Sequence, residues 1–164
     1  MTTQTYQVYI KATPEAIWDA ITTSEWTQQY GYRGGVEYDL RPGGVALALA
    51  NEGMKAMGAP DVIVEGEVIE ADPPRKLVQT WRMLMDEPMA SEAFSRLTWE
   101  IEPPDEENPM RVVGATKLTV THELDGAPKT AVMVSGTAPG AGGGWPFILS
   151  DLKTLLETGK PLAG

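Results

Sequence analysis

Residues 142–159 carry an apolar stripe that leaves little choice of fold. Trp145, Ile148, Leu149, Leu152, Leu155 and Leu156 recur on a period of about 3.6 residues, with Ser150, Asp151, Lys153, Thr154 and Glu157 on the other side. Pro146 suits a first helical turn, and Gly159 followed by Pro161 suits the stop. Nearly everything between residues 35 and 135 reads as strand. One long helix closing such a chain must lay its stripe on the sheet, because nothing else is available to cover it. Where a curved sheet bends away from the helix, a cavity can remain.

The preceding elements follow from local signals. Tyr6, Val8, Ile10 and Ala12 alternate with polar neighbours as a first strand. Thr13-Pro14-Glu15 supplies a cap, a first-turn proline and an early acid for a helix burying Ile17, Trp18 and Ile21. Ser24-Glu25-Trp26 opens a second short helix ending near Tyr30. Residues 36–40 and 45–50 form a hairpin across Arg41-Pro42-Gly43-Gly44. Residues 52–60 read as loop. Residues 62–70 and 77–85 flank the turn Asp72-Pro73-Pro74-Arg75, and strands follow over 95–102, 112–124 and 131–135. The connections are too short for crossover helices, so the sheet is antiparallel. The expectation is an α+β fold: a curved antiparallel sheet of about six or seven strands gripping a long C-terminal helix, with two short helices after the first strand. No repeat, linker or composition break divides residues 1–164, which read as one domain.

Composition narrows the function. Hydrophobic residues make up 42% of the chain, which suits a globular core. A net charge of −10 argues against nucleic acid or an anionic membrane as partner, since both reward clustered Lys and Arg. With no cysteine and one histidine, disulfide and thiolate chemistry are excluded and a zinc site is disfavoured; no cofactor is expected. The N-terminus lacks a signal-peptide pattern and no apolar run approaches the roughly 18 residues of a membrane span. A soluble cytoplasmic protein, monomer or homodimer, is the expectation.

The set of signals resembles the bacterial proteins related to the activator of Hsp90 ATPase, within the START-like (SRPBCC) superfamily and its helix-grip fold. The resemblance rests on residues 10–18 with Trp18 in the early helix, the turn Arg41-Pro42-Gly43-Gly44, the strand–turn–strand block 65–81, the stretch 119–123, and Gly144-Trp145 leading into the closing helix. It implies a seven-stranded antiparallel sheet wrapped around the C-terminal helix, leaving an apolar pocket. It implies function poorly, because the superfamily spans lipid carriers, polyketide cyclases, hydroxylase subunits and co-chaperone domains.

Several residues could carry chemistry. Thr116, Leu118, Val120 and His122 share one strand face, so the apolar set carries His122 inward. An inward imidazole could polarise a ligand carbonyl or move a proton; equally, it could satisfy a backbone group as a core residue. Trp81 and Trp99 point toward the helix by the same counting, and Met83 shares a face with Trp81. Gln79 lies on that otherwise apolar face, so its amide needs a partner in protein, water or ligand. Trp26 and Tyr30 belong to the short helix at the expected mouth, while Trp145 and Leu149 come from the closing helix. Methionines 54, 57, 83, 85 and 89 could adapt to a bound shape. The glycine tract 140–144 lacks the βαβ context and lysine of a phosphate loop and reads as a linker or gate. The expected function is binding of a small hydrophobic or aromatic molecule between sheet and closing helix. Two alternatives stand beside it. One is a polyketide-cyclase- or hydrolase-like enzyme using His122 in the same cavity; the other is a regulator of an Hsp90-type chaperone acting through its surface.

Overall fold

The computed structural model describes residues 2–110, 114–139 and 142–162. In chain order the elements are β1 (Thr3–Ile10), α1 (Pro14–Thr22), α2 (Ser24–Thr27), β2 (Val36–Tyr38), β3 (Ala46–Leu49), α3 (Glu52–Ala56), β4 (Val62–Glu65), β5 (Val68–Asp72), β6 (Lys76–Met83), α4 (Glu87–Ala90), β7 (Ser95–Glu102), β8 (Thr116–Glu123), α5 (Pro128–Ser135) and α6 (Gly144–Thr158). The eight strands form one antiparallel sheet in the order β1-β8-β7-β6-β4-β3-β2, with β5 also pairing β6. The class is α+β, as expected, with a long C-terminal helix and two short helices after β1.

The strand count exceeds the expected six or seven because residues 62–70 break into β4 and β5, both paired with β6. Gly66 marks the break: a Cβ there would lie 1.9 Å from the Thr80 carbonyl oxygen, so the backbones cross where no side chain fits. Register shifts between Ala48 and Leu49 and between Val68 and Glu70 bend the sheet at this end.

Two further expectations fail for identifiable reasons. Residues 131–135 belong to α5 rather than a strand. Pro128 opens that helix and Gly136 closes it with a φ of 78°. Glu92, from the loop before β7, accepts from the Lys129 and Thr130 backbone N–H groups and the Thr130 hydroxyl. The loop at 52–60 contains α3, started by Asn51, whose side chain accepts from Met54 N at 2.7 Å. The beginning of the expected strand at 112–124 and residues 140–141 of the glycine tract lie outside the described residues.

The core lies between the sheet and α6. Trp145, Leu149, Leu152 and Leu155 pack with Ile10, Leu77, Leu97, Trp99, Leu118 and Val120, and α1 adds Ile17, Trp18 and Ile21. Asp151, expected on the wet side of α6, is fully buried. Its carboxylate accepts from Gly31 N at 2.8 Å and Leu162 N at 2.7 Å, tying the α2–β2 loop and the chain end to the helix. Buried charge is tolerated where hydrogen bonds replace water, and here two backbone donors do so.

Candidate functional site

Strand alternation determines which side chains meet under α6. In the β6–β7–β8 register Trp81 stands opposite Ser95, Gln79 opposite Leu97, and Leu97 opposite His122, all on the helix-facing side. Trp145, at the start of α6, comes down onto this group. Its ring lies 5.3 Å from Trp99, edge to face, and 6.5 Å from Trp81.

Trp145 can begin the helix there because Gly144 precedes it. Gly144 has a φ of 61°, and a Cβ on it would meet the Val134 carbonyl oxygen at 2.2 Å. Only glycine lets α6 start this close to the end of α5. The Gly144 N–H is taken by the Tyr32 hydroxyl at 3.0 Å.

Beside this aromatic group lies a cavity of about 300 Å³. The α2–β2 segment contributes Tyr30, Tyr32 and Tyr38; the sheet contributes Ala48, Ile63, Met83, Leu97 and the two tryptophans 81 and 99; α6 contributes Trp145 and Ile148. Met54 from α3 and Met85 after β6 also border it. Of the residues singled out from sequence, Tyr30, Met54, Trp81, Met83, Met85, Trp99 and Trp145 line the space.

Four do not. Leu149 points into the sheet core, one position round the helix from Ile148, which faces the cavity instead. Trp26 packs half-buried against the core from α2. Among the other methionines, Met57 is 91% exposed and Met89 is buried away from the cavity under α4. Gln79 and His122 sit behind the wall, and each has a defined partner set.

His122 is fully buried and bonded through both ring nitrogens. The Trp145 indole N–H donates to its Nδ1 at 3.1 Å, and its Nε2 lies 2.8 Å from Ser95 Oγ. An indole can only donate, so Nδ1 must carry the lone pair and the ring proton sits on Nε2. The Ser95 hydroxyl passes its own proton on to the Trp81 carbonyl at 2.8 Å. The Trp81 ring closes against the imidazole edge to face at 5.0 Å. Burial lowers the His122 pKa from 6.5 to about 4, because a charged ring would lose its water without gaining a counter-charge. The expected inward histidine is therefore a neutral strut joining β6, β7, β8 and α6, not part of the cavity wall.

Gln79 is 2% exposed. Its Oε1 accepts from the Tyr38 hydroxyl at 2.9 Å and, more weakly, from the Trp99 indole at 3.4 Å. Burial drives the Tyr38 phenol pKa well above its ordinary value, outweighing the opposing effect of the Gln79 bond, so the hydroxyl keeps its proton and donates. Tyr30 is likewise raised by burial, then by the neighbouring Tyr38 and Asp151, and bonds the Ala20 carbonyl at 2.8 Å. Tyr38 and Ser95 are the functional neighbours that sequence reasoning passed over. The signal for Tyr38 was present, since it alternates with Val36 on a strand facing the site; nothing local marked Ser95.

A sheet closed by a C-terminal helix over a side cavity defines the helix-grip, START-like class. The narrower assignment comes from comparison with known proteins. The profile of the family described as activator of Hsp90 ATPase homolog 1-like proteins matches residues 11–157, and the chain belongs to that family. Among solved structures it is similar to CalU16 from Micromonospora echinospora, with 17% identity over 97% of this chain and 76% of that one and a TM-score of 0.65. It is also similar to DynU16 of the dynemicin biosynthetic locus, at 21% identity and a TM-score of 0.67, where the match covers 97% of this chain and 48% of that one. The Aha1 dimer from Colwellia psychrerythraea matches over 98% of this chain and 99% of that one, at 18% identity and a TM-score of 0.62. At such identities the likeness is one of fold. No curated protein matches the chain.

Proposed function

We propose that this chain is a single START-like domain that binds a small hydrophobic or aromatic molecule in the cavity between sheet and α6. The observation carrying the reading is the wall itself. A space of about 300 Å³ is bordered by three tryptophans, three tyrosines and four methionines, with Ile148 of α6 as a side. That volume falls at the low end of small-molecule sites, at roughly 300–1,000 Å³. Aromatic faces suit a flat ligand, and unbranched methionines can repack around its outline.

The charge of −10 and the lack of any helix, among the described residues, long and apolar enough to cross a membrane fit a cytoplasmic role with a small molecule rather than a polyanion or a bilayer. Catalysis through His122 gains no support. The ring lies behind the wall, with both nitrogens occupied and a pKa too low for proton transfer at neutral pH. Chaperone regulation rests on the family's description and the likeness of fold to Aha1.

The test is a titration with the neutral fluorophore N-phenyl-1-naphthylamine. The protein should bind about one equivalent, and Ala48→Phe, which fills the space from β3, should weaken binding at least ~10-fold, or about 1.4 kcal/mol. The variant should keep the wild-type circular dichroism. Equal affinity in a folded Ala48→Phe protein would contradict the proposal.

A further inference from the structure

The cavity carries charge at a single point, and that point is on its rim. Among the described residues bordering it, only Tyr32, Arg33, Met85 and Gly142 are exposed. Tyr32 and Gly142 meet there, since a Cβ on Gly142 would lie 2.5 Å from the Tyr32 ring. Arg33 follows Tyr32 in the chain. It is the one charged residue on the described wall, which holds no Asp, Glu or Lys although the chain has 23 acidic residues against 13 basic ones.

Arg33 also borders a second depression, of about 220 Å³. This one is polar: Gln28, Asn51, Glu52 and Lys55 line it, and Lys55 pairs with Glu52 at 3.5 Å. Gly35 and Leu49 border both spaces, so the apolar cavity and the polar depression adjoin at Arg33. With Lys55 and Glu52 cancelling, Arg33 leaves that junction net positive.

The backbone at Arg33 is costly to hold. With a φ of 59°, it is the only non-glycine among the described residues in the left-handed region, where glycine or asparagine is the ordinary choice. Its neighbours enforce the conformation. Arg33 N donates to the Tyr30 carbonyl at 3.0 Å, and Asn51 Nδ2 donates to the Tyr32 carbonyl at 2.6 Å. Gly34 then passes so near β3 that a Cβ would lie 2.1 Å from the Leu49 carbonyl oxygen. A long cationic side chain at such a position, on the rim of a cavity, calls for a role that offsets the strain.

We propose that the ligand of this cavity is an amphipathic acid, whose flat apolar body enters the cavity while its carboxylate stays at the rim with Arg33. The inference rests on the cavity-binding reading and adds the polar half of the ligand to it. A head group held at the exposed rim keeps part of its water, so the charge is not carried into the apolar interior. Arg33 already has a partner within the chain; its five N–H donors leave room for a carboxylate as well. The protein's net charge of −10 opposes any anion, so a preference for an acid can only come from a cation placed locally.

Two probes of nearly equal shape, 2-naphthoate and 2-naphthamide, differ in that charge. Quenching of tryptophan emission at neutral pH gives both affinities in the intact protein. The wild type should bind the acid at least ~3-fold tighter than the amide, within the range of a solvent-facing ion pair, and added salt should narrow the preference. Arg33→Gly removes the cation at a φ that glycine adopts freely, so the fold is kept and the preference should reverse in favour of the amide. Arg33→Lys should retain a preference for the acid. Ala48→Phe, which fills the cavity, should weaken both probes. A wild type that binds the amide as tightly as the acid, or an Arg33→Gly protein that still prefers the acid, would overturn the proposal and leave the cavity reading standing. Undiminished binding of the acid by Ala48→Phe would overturn it too, by placing the anion on the surface alone. Binding of neither probe by the wild type would overturn both readings.

Discussion

Lowering the pH from 7 to 4 should expose the role of His122 directly. In the folded chain the imidazole pKa lies at about 4, against 6.5 for an unhindered histidine. The unfolded chain therefore takes up this proton first as pH falls, and proton binding favours the state that binds it. Stability is thus lost from about pH 6.5 downward. The loss is complete once the folded ring also protonates near pH 4, and this residue adds no further change below that. A drop from 6.5 to about 4, at roughly 1.36 kcal/mol per pH unit, amounts to about 3 kcal/mol. The geometry agrees in sign, since a proton on Nδ1 would face the Trp145 indole N–H at 3.1 Å. Urea denaturation of the wild type and of His122→Gln across this range isolates the effect, because the carboxylates that also titrate there are common to both. The wild type's advantage over the variant should shrink by about 3 kcal/mol between pH 7 and 4. Parallel pH profiles, or an imidazole that titrates near 6.5 in the folded protein by NMR, would refute the reasoning.

Two substitutions test other joints of the fold. Gly144→Ala puts a methyl against the Val134 carbonyl at a positive φ, and should cost at least about 2 kcal/mol in chemical denaturation and displace the Trp145 ring. Glu92→Ala removes the acceptor for two backbone N–H groups and a hydroxyl at the start of α5, for a loss of about 1–2 kcal/mol. Burial tends to raise the Glu92 pKa, but the bonds from Thr130 and Lys129 win and hold it below the ordinary carboxylate range. Its contribution is therefore present above the unfolded carboxylate pKa and vanishes as pH drops through the lower folded one, so wild type and Glu92→Ala should converge in acid.

How much of this was legible in sequence depended on whether the signal was local. The stripe from Trp145 to Leu155 and the alternation ending at His122 are periodic, and period alone placed α6 over the sheet with His122, Trp81 and Trp99 beneath it. Residues 131–135 misled because Val132 and Val134 alternate as in a strand, while the capping carboxylate comes from the distant Glu92. Asp151 looked like a solvated residue because its donors, Gly31 and Leu162, lie far away along the chain. Period also cannot tell a residue that lines a space from one that stands behind it. His122 and Gln79 share the inward face with Trp81, yet side-chain length and partners leave the tryptophan at the cavity and the other two behind it.

The five indole N–H groups offer the most direct test of the cavity. In a ¹⁵N–¹H spectrum titrated with naphthalene, the signals of Trp81, Trp99 and Trp145, which border the space, should shift together and saturate. Those of Trp18 and Trp26, packed elsewhere in the core, should stay in place. A saturating shift confined to Trp18 or Trp26, or no shift at the solubility limit, would contradict a ligand site between sheet and helix.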